Sequence, residues 1–365
     1  MQQEKAGPPE ATNPEMVTLA REARAMSQAE LAQALNITQS RLSKIEAGLL
    51  DVPHELVRTL AATLRYPEAF FGMTERRYGI AISEYYHRKR QKLSARALDA
   101  IHAKLEIIRI QVGRLLRSVQ ITSDYDFPHF DIDDFENDAA EVARAARAYW
   151  KIPSGPIASV VKVIEDAGGI VIRCNFETRL LDAVSRPLPS MPPLFFSNDS
   201  MPADRERWTL AHEAGHIIMH SSAHPEMEEQ ANTFASEFLM PASEIKPSLH
   251  DITLPKLAAL KRVWRVSMAA LLFRAKDLGT INERRYRFLN MQLAKAGYKL
   301  REPIETNFAH EQTSLLQSVL AYHRDELGFS IEDLAKLLVM HEPELRATYH
   351  LAPRSAPERG LRRVK

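Results

Sequence analysis

Two histidines one helical turn apart constrain this chain more than any other feature. They lie in RERWTLAHEAGHIIMH (205–220), whose apolar spacing predicts one amphipathic helix. Positions i and i+4 share a helix face, so His212 and His216 can both present a ring nitrogen to one tetrahedral metal ion. Glu213 lies beside them, where its carboxylate can take a proton from a metal-bound water. Five residues alone are a modest signal, because such a match also arises by chance on an ordinary helix.

A third ligand is predicted from the phase of the next helical stretch, EMEEQANTFASEFLM (226–240). At about 100° per residue, its alanines and phenylalanines form one apolar face. Glu228 falls on the margin of that face, whereas Glu226, Glu229 and Glu237 are predicted to point towards solvent. Glu228 is therefore the expected ligand, and Glu229 is the fallback.

Together these positions predict a Zn²⁺ centre with a general base beside it. Asn232 lies one turn after Glu228, where its amide is predicted to orient a ligand histidine. The complete predicted set is His212, His216 and Glu228 as ligands, Glu213 as base and Asn232 as supporting residue.

Residues around the motif add support and leave alternatives open. Gly215 costs a helix about 1 kcal/mol, which calls for a close neighbour or a functional reason. The stretch PPLFFSN (192–198) predicts a strand at a sheet edge, where an extended peptide could pair. His220 continues the histidine stripe; we expect it to cap backbone carbonyls rather than to bind metal. The group that would stabilise an oxyanion is left open among His220, Tyr85 and Tyr86.

Composition limits the classes of protein that this chain can be. Lys and Arg number 48 against 47 Asp and Glu, so the whole chain is no polyelectrolyte binder. The single cysteine, Cys174, excludes an intrachain disulfide and a cysteine-based zinc finger, which fits a reducing cytoplasm. No apolar segment reaches the ~18 residues of a membrane span. We therefore expect a cytoplasmic protein with no membrane partner.

A run of short capped helices is predicted between residues 15 and 75. In SQAELAQALNITQSRLSKIEAG (27–48), Ser27 and Glu30 form a capping box and Gly48 ends the last helix. This pattern resembles the XRE/Cro-type helix-turn-helix domain, which implies a helix whose N-terminal end enters the major groove of operator DNA. The DNA-contacting residues so implied are Gln28, at a phosphate, and, at the major groove, Thr38, Gln39, Ser40, Arg41, Ser43 and Lys44. Of these, Gln39 and Arg41 can pair with adenine and guanine edges, respectively.

The charge of this module sets what DNA binding would require. Residues 15–75 hold 6 basic and 8 acidic residues, so their nonspecific affinity for DNA is expected to be weak. Specific binding would need a homodimer, help from the basic stretch 76–118, or both. That stretch holds 11 Lys or Arg against 3 acidic residues, and 119–143 holds 8 acidic residues and no Lys or Arg. We interpret the two stretches as solvated faces that pair with each other.

One segment of the chain repeats another. SIEDLAKLLVMHEPELRATY (330–349) matches SQAELAQALNITQSRLSKIE (27–46) at equivalent helix positions. The later copy carries Glu342, Pro343 and Glu344 where the first copy has its reading residues. Acidic groups there would repel phosphates, so we predict that this degenerate hairpin contacts protein.

The two zinc-site helices also carry a family resemblance. DRERWTLAHEAGH (204–216) followed by EEQANTFASEFLMP (228–241) closely resembles the ImmA/IrrE family of zinc metallopeptidases, and similar sequence covers about residues 76–300. The resemblance gives the same ligands and base as the helix phase. It implies cleavage of a repressor-like regulatory protein, or of the chain itself, in a stress or mobile-element response.

Two alternatives to a DNA-binding protease stay open. In the first, the chain is a one-component transcription regulator whose zinc site is sensory or structural and does not cleave. Glu213 argues against it, because a structural zinc site needs no general base. In the second, the N-terminal module docks onto a similar module in the substrate instead of binding DNA.

The predicted fold class is α+β and mostly helical. It combines an N-terminal helix-turn-helix bundle, a central gluzincin-like zinc peptidase domain with a small sheet, and a C-terminal helical domain. The predicted boundaries are a disordered tail at 1–14, the helix-turn-helix domain at 15–75, a helical connector at 76–150, the peptidase domain at 151–300 and the C-terminal domain with its basic tail at 301–365.

Overall fold

Helices dominate the chain, as the capping and apolar patterns predict, and a small sheet accompanies them. The computed structural model describes residues 11–78, 94–188, 191–299, 301–349, 351 and 361–363. Most of the predicted tail at 1–14 and the RKRQK run at 88–92 lie outside the described residues. Within the described part, no helix is long and apolar enough to cross a membrane.

The elements are numbered in chain order. The helices are α1 Pro14–Ala23, α2 Gln28–Ala34, α3 Gln39–Glu46, α4 His54–Leu64, α5 Ala95–Leu115, α6 Ala139–Tyr149, α7 Val160–Asp166, α8 Ala203–Met219, α9 Met227–Leu239, α10 Ala242–Ile245, α11 Leu254–Trp264, α12 Met268–Asp277, α13 Glu283–Lys295, α14 Leu315–Asp325, α15 Ile331–Leu338 and α16 Glu342–Tyr349. Short 3₁₀ helices span Glu68–Gly72, Ile132–Phe135, Lys246–Leu249 and Ile304–Thr306. The strands are β1 Val119–Ile121, β2 Ile170–Cys174, β3 Ala183–Leu188, β4 Met191–Asn198 and β5 Leu361–Arg363.

The chain divides into two compact units. The first comprises residues 1–80, 90–122 and 316–365, and the second comprises 81–89 and 123–315. These units divide the chain differently from the domain boundaries expected from sequence, which remain predictions. The last helices fall in the same unit as the N-terminal ones.

The N-terminal helices of the first unit begin at the predicted caps. The Ser27 hydroxyl accepts a hydrogen bond from the Glu30 amide at 3.2 Å, and the Glu30 carboxylate accepts one from the Ser27 amide at 2.7 Å. The Thr38 side chain caps α3 by accepting one hydrogen bond, from the Arg41 amide at 3.2 Å. Gly48 follows α3 with φ 69°, a left-handed conformation that glycine adopts without cost. The helices bury an apolar core that includes Met16, Leu19, Leu31, Leu42 and Leu60.

The predicted sequence repeat is also a structural repeat. α2 and α3 begin 303 residues before α15 and α16, as the start positions 28, 39, 331 and 342 give. The Ser330 and Asp333 side chains form a capping box at the start of α15, like the one at α2. The second hairpin packs on α5, where the Tyr349 hydroxyl donates to Gln111 at 2.6 Å.

The interpretation of the basic stretch as a solvated face is wrong for α5, the helix that residues 95–115 of this stretch form. Arg109 is buried and forms an ion pair with Glu106 at 3.0 Å. Arg114 pairs with Glu75 at 2.7 Å. The helix is basic, but it packs within the first unit and its arginines find acidic partners there.

The sheet of the second unit has the strand order β2-β4-β3. β2 is parallel to β4, and β3 is antiparallel to it. The PPLFFSN segment was expected at a sheet edge; this is wrong, because β4 has a neighbour on each side. Its residues Phe195 and Phe196 are fully buried, as suits a strand covered on both faces. The edge strand beside α8 is β3, which the sequence analysis did not predict.

The long helix α8 lies against β3 and β4 and packs on α9. Gly215 lies where α8 packs against Phe234 of α9. A Cβ atom at this position would lie 2.9 Å from Cδ1 of the fully buried Phe234. The glycine therefore meets the predicted close neighbour, and this approach brings the histidine stripe of α8 to the acidic start of α9.

Candidate metal centre and DNA-reading surface

Two histidines of α8 and one glutamate of α9 converge in the second unit. The Nε2 atoms of His212 and His216 lie 3.0 Å apart. Glu228 places Oε1 3.4 Å from Nε2 of His216, and Oε2 4.0 Å from Nε2 of His212. All three side chains are buried. Within the described part of the chain, these three side chains form a group that could hold a metal ion.

The donor atoms are spaced as a small divalent metal ion requires. Bonds of 2.0–2.1 Å to a tetrahedral ion place neighbouring ligand atoms about 3.3 Å apart. The separations here, 3.0 to 4.0 Å, lie around that value. Two facing imidazole nitrogens can share only one proton, whereas a cation between them can accept both lone pairs. The residues therefore fit a metal ion.

The predicted supporting residue, Asn232, contacts the first candidate ligand, His212. The Oδ1 atom of Asn232 lies 3.2 Å from Nδ1 of His212. The Asn232 amide nitrogen donates to the backbone carbonyl of Glu228 at 2.8 Å, which ties it to its own helix. Asn232 thus stands where it was expected, one turn after the third candidate ligand.

We expected the His220 side chain to cap backbone carbonyls, but it contacts two side chains instead. Its Nδ1 lies 2.9 Å from Nδ1 of His216, and its Nε2 lies 3.0 Å from Oε1 of Gln230. The expectation was wrong because α8 ends against α9, so the ring is buried between the two helices. Burial lowers the pKa of His220 to about 3, with the neighbouring His216 adding to the effect. The sequence analysis did not single out Gln230. For its partner His220, the four-residue spacing from His212 and His216 was an available signal.

Glu213 is fully buried, and its carboxylate is hydrogen-bonded to the edge strand β3. Its Oε2 accepts hydrogen bonds from the Ser185 amide at 2.9 Å and from the Ser185 hydroxyl at 2.5 Å. Ser185 is a second residue that the sequence analysis missed, because β3 was not recognised as a strand. Tyr85 and Tyr86 lie outside the described residues.

The predictions for the other acidic residues in α9 and at its N-terminus are partly correct. Glu229 and Glu226 are exposed, as predicted. Glu237 was also expected in solvent, which is wrong: it is buried and forms an ion pair with Arg274. The helix phase is the same in both cases, but α12 brings Arg274 against the far side of α9. A paired carboxylate can be buried where an isolated one cannot.

A buried ion network anchors the N-terminal half of α8. Arg173 of β2 donates two hydrogen bonds to Glu206, at 2.7 and 3.0 Å. Ser197 and His310 also contact this carboxylate, at 2.8 and 2.7 Å. Burial alone would raise the pKa of Glu206, but the hydrogen bonds from Arg173 and His310 outweigh it and hold the pKa below 4.5. The next residue, Arg207, is buried against Glu311.

The predicted DNA-reading residues lie on one surface of the first unit. Thr38, Gln39, Ser40, Arg41 and Lys44 are exposed, and Ser43 and Gln28 are half-buried. Gln28 receives a hydrogen bond from Gln39 at 2.9 Å and donates one to Glu46 at 2.9 Å. These hydrogen bonds hold the Gln28 and Gln39 side chains against each other.

Comparison with known families adds two matches. A peptidase-family model described as an IrrE N-terminal-like domain matches residues 165–276, which include the three candidate ligands and Glu213. A model described as a helix-turn-helix matches residues 18–71. No curated protein matches the chain. The chain therefore carries an XRE-type helix-turn-helix domain at its N-terminus, followed by an IrrE/ImmA-like, metallopeptidase-like domain.

Proposed function

We propose that the protein is a cytoplasmic DNA-binding regulator whose second domain is a zinc endopeptidase. The proposed substrate is a repressor-like regulatory protein or this chain itself, in a stress or mobile-element response. The observation that carries the peptidase proposal is the buried His212–His216–Glu228 cluster with Glu213 on the same helix. Two imidazoles and one carboxylate are the ligand set of a catalytic zinc site, which keeps its fourth position for water or substrate.

Each residue then has a defined role. His212, His216 and Glu228 would hold the ion. Zinc at this position would supply Lewis-acid chemistry for a water nucleophile and the scissile carbonyl. Glu213 accepts the water proton at its carboxylate and passes it to the leaving amine. Ser185 holds that carboxylate in place through its amide and hydroxyl.

The edge strand β3 is the proposed place for an extended peptide. β3 pairs with β4, and no other described strand pairs with it. A peptide that adds to such an edge gains main-chain hydrogen bonds without a requirement for particular side chains. Because Ser185 of β3 contacts Glu213, a peptide on this edge would pass beside the base.

For the DNA-binding domain we propose that α3 reads an operator in the major groove. The support is the exposure of Arg41 and Lys44 at the surface that this fold presents to DNA. Arg41 suits the O6 and N7 edge of guanine, and Lys44 suits a phosphate. We further propose that two copies act together, since paired half-sites require a homodimer.

Mapping new protein N-termini tests the proposed cleavage. Zinc-loaded protein and its Glu213→Gln variant are incubated with a lysate of the source cells, and the new termini are sequenced by mass spectrometry. We expect a few cleavage sites within one regulatory protein or within this chain, present with the parent and absent with Glu213→Gln. If the parent carries one zinc per chain and yields the same termini as Glu213→Gln, the protein does not cleave in this way.

The alternative is a regulator whose zinc site is sensory and does not cut. The complete burial of Glu213 favours it, because a base held out of solvent must be reached by a water molecule. The two functions differ in the effect of Glu213→Gln on gene expression. A cleaving regulator loses its response to the inducing condition, whereas a sensory one keeps it as long as zinc binds.

A further inference from the structure

We propose that His220 and Gln230 form a positioning relay that fixes which nitrogen of His216 faces the metal ion. The relay is the chain of contacts from His216 Nδ1 to His220 Nδ1, and from His220 Nε2 to Gln230 Oε1, at 2.9 and 3.0 Å. The inference rests on the proposed metal site, since it assigns these two residues to its support. Neither residue has a role in the proposed chemistry.

The direction of the relay follows from counting protons. The amide oxygen of Gln230 can only accept a hydrogen bond, so Nε2 of His220 must carry the proton between them. A neutral imidazole has one N–H, so Nδ1 of His220 is then an acceptor. The hydrogen bond to His216 therefore requires the proton on Nδ1 of His216. This leaves Nε2 of His216 with its lone pair directed at His212 and Glu228.

The reverse assignment is blocked by burial. Gln230 could turn its amide so that the nitrogen donates, which would place the His220 proton on Nδ1 and the lone pair of His216 on the wrong nitrogen. If His216 bound metal through Nε2 in this arrangement, its proton would lie on Nδ1, facing the protonated Nδ1 of His220 at 2.9 Å. Neither N–H would then have an acceptor. His220 and Gln230 are only 6% and 9% exposed, so little water can reach that site. A buried polar contact of the wrong polarity costs more than the one it replaces.

Both ligand histidines are supported from the same short stretch of α9. Asn232 contacts Nδ1 of His212, and Gln230 reaches Nδ1 of His216 through His220. Glu228, the third candidate ligand, begins this stretch. One turn and a half of α9 therefore supplies a ligand and sets the orientation of the other two. Partners of this kind typically change metal affinity about 10- to 100-fold when they are removed.

The relay is tested with variants that keep or remove its hydrogen bonds. His220→Leu and Gln230→Leu remove an acceptor while filling a similar volume. His220→Asn keeps a side-chain oxygen that can accept from Nδ1 of His216, and it serves as the conservative variant. His224→Ala is the matched control, because the His224 ring contacts His220 at a centroid distance of 5.0 Å but stands outside the relay.

Two readouts separate this inference from the metal site itself. In zinc-loaded protein, imidazole ¹⁵N shifts report the tautomer of His220; zinc affinity is measured by competition with a chromophoric chelator. We expect a single Nε2–H tautomer of His220 in the parent and His224→Ala, and a mixture in Gln230→Leu. Zinc affinity should fall about 10- to 100-fold in both leucine variants and stay within about threefold of the parent in His220→Asn.

Contrary outcomes are equally distinct. An Nδ1–H tautomer of His220 in the zinc-loaded parent overturns the relay and leaves the metal site standing. So does zinc affinity within about twofold of the parent in folded Gln230→Leu. A parent that binds no zinc overturns the proposed function and, with it, the relay. Gln230→Leu changes α9 alone and so keeps the test valid if His220→Leu does not fold.

Discussion

Ser185 donates two hydrogen bonds to one carboxylate oxygen of Glu213, from its amide at 2.9 Å and from its hydroxyl at 2.5 Å. The two residues belong to different layers, since Ser185 lies on the edge strand and Glu213 on the histidine-bearing helix. The contact fixes the rotamer of the proposed base. It also connects the proposed base to the strand on which we place the substrate.

Ser185→Ala should slow cleavage without preventing metal binding. The variant loses the hydroxyl and keeps the amide, so the carboxylate is held less firmly. We expect kcat to fall about 10-fold with KM changed little, because the residue acts through Glu213. Cleavage of the sites found by N-terminal mapping provides the assay. Ser185→Thr, which restores a hydroxyl, should recover most of the rate; equal rates for Ser185→Ala and the parent would show that the hydroxyl does not position the base.

Gly215→Ala should destabilise the second unit although alanine is the better helix former. A Cβ at this position meets the ring of Phe234 at 2.9 and 3.0 Å. Overpacking costs about 1–3 kcal/mol, and the gain in helix propensity returns about 1 kcal/mol. We expect a net loss of about 1 kcal/mol in urea unfolding. Phe234→Leu should reduce this loss in a double-mutant cycle, whereas stabilisation by Gly215→Ala would contradict the packing described here.

Glu206→Gln should reduce stability most at neutral pH. Since the folded pKa of Glu206 lies below 4.5, its carboxylate contributes stability that is fully present above this value and is lost as pH falls through the folded pKa. Removing the charge leaves the Arg173 guanidinium without its carboxylate partner, at a cost of about 3 kcal/mol. Urea unfolding at neutral pH and below pH 4.5 should show the difference from the parent shrinking on acidification. The control is the exposed Glu229→Gln, and a difference that grows at low pH would refute the assignment.

Arg41→Ala and Lys44→Ala should weaken DNA binding in different ways. Loss of a base contact by Arg41 should cost about 10-fold in affinity and relax selectivity at one base pair. Loss of a phosphate contact by Lys44 should lower the slope of log affinity against log salt by about 1 at every sequence. Fluorescence anisotropy on a site selected from a random library by the parent gives both quantities.

Arg346→Ala is the matched control for these two variants. Arg346 is exposed on the corresponding helix of the second hairpin and pairs with Glu342 at 2.8 Å. Its replacement should leave DNA affinity unchanged, because we predict that this hairpin contacts protein. Equal losses for Arg346→Ala and Arg41→Ala would show that the second hairpin also meets DNA.

Local patterns predicted the parts of the fold that depend on local interactions. Ser27 and Glu30 form the capping box of α2 as expected, since a cap involves residues only three positions apart. The repeat at 330–349 recurs in the structure for the same reason. The helix phase likewise directed Glu228 inward, towards the histidines of α8.

The same reasoning failed where a third element decides the outcome. Glu237 has the phase of a solvent residue, but Arg274 arrives from another helix and pairs with it. β3 escaped notice although it pairs with the next strand of the chain, β4. Arg186 and Pro187 interrupt the apolar alternation that marks a strand. Gln230 could not be assigned from its own helix, because its partner His220 ends a different one.

Zinc content per chain tests the central claim most directly. Purified parent protein is compared with Glu228→Ala and Glu229→Ala, whose replaced carboxylates are adjacent in sequence but buried and exposed, respectively. The account predicts close to one zinc per chain in the parent and in Glu229→Ala, and a large loss in Glu228→Ala. Zinc retained in Glu228→Ala, or absent from the parent, would contradict it.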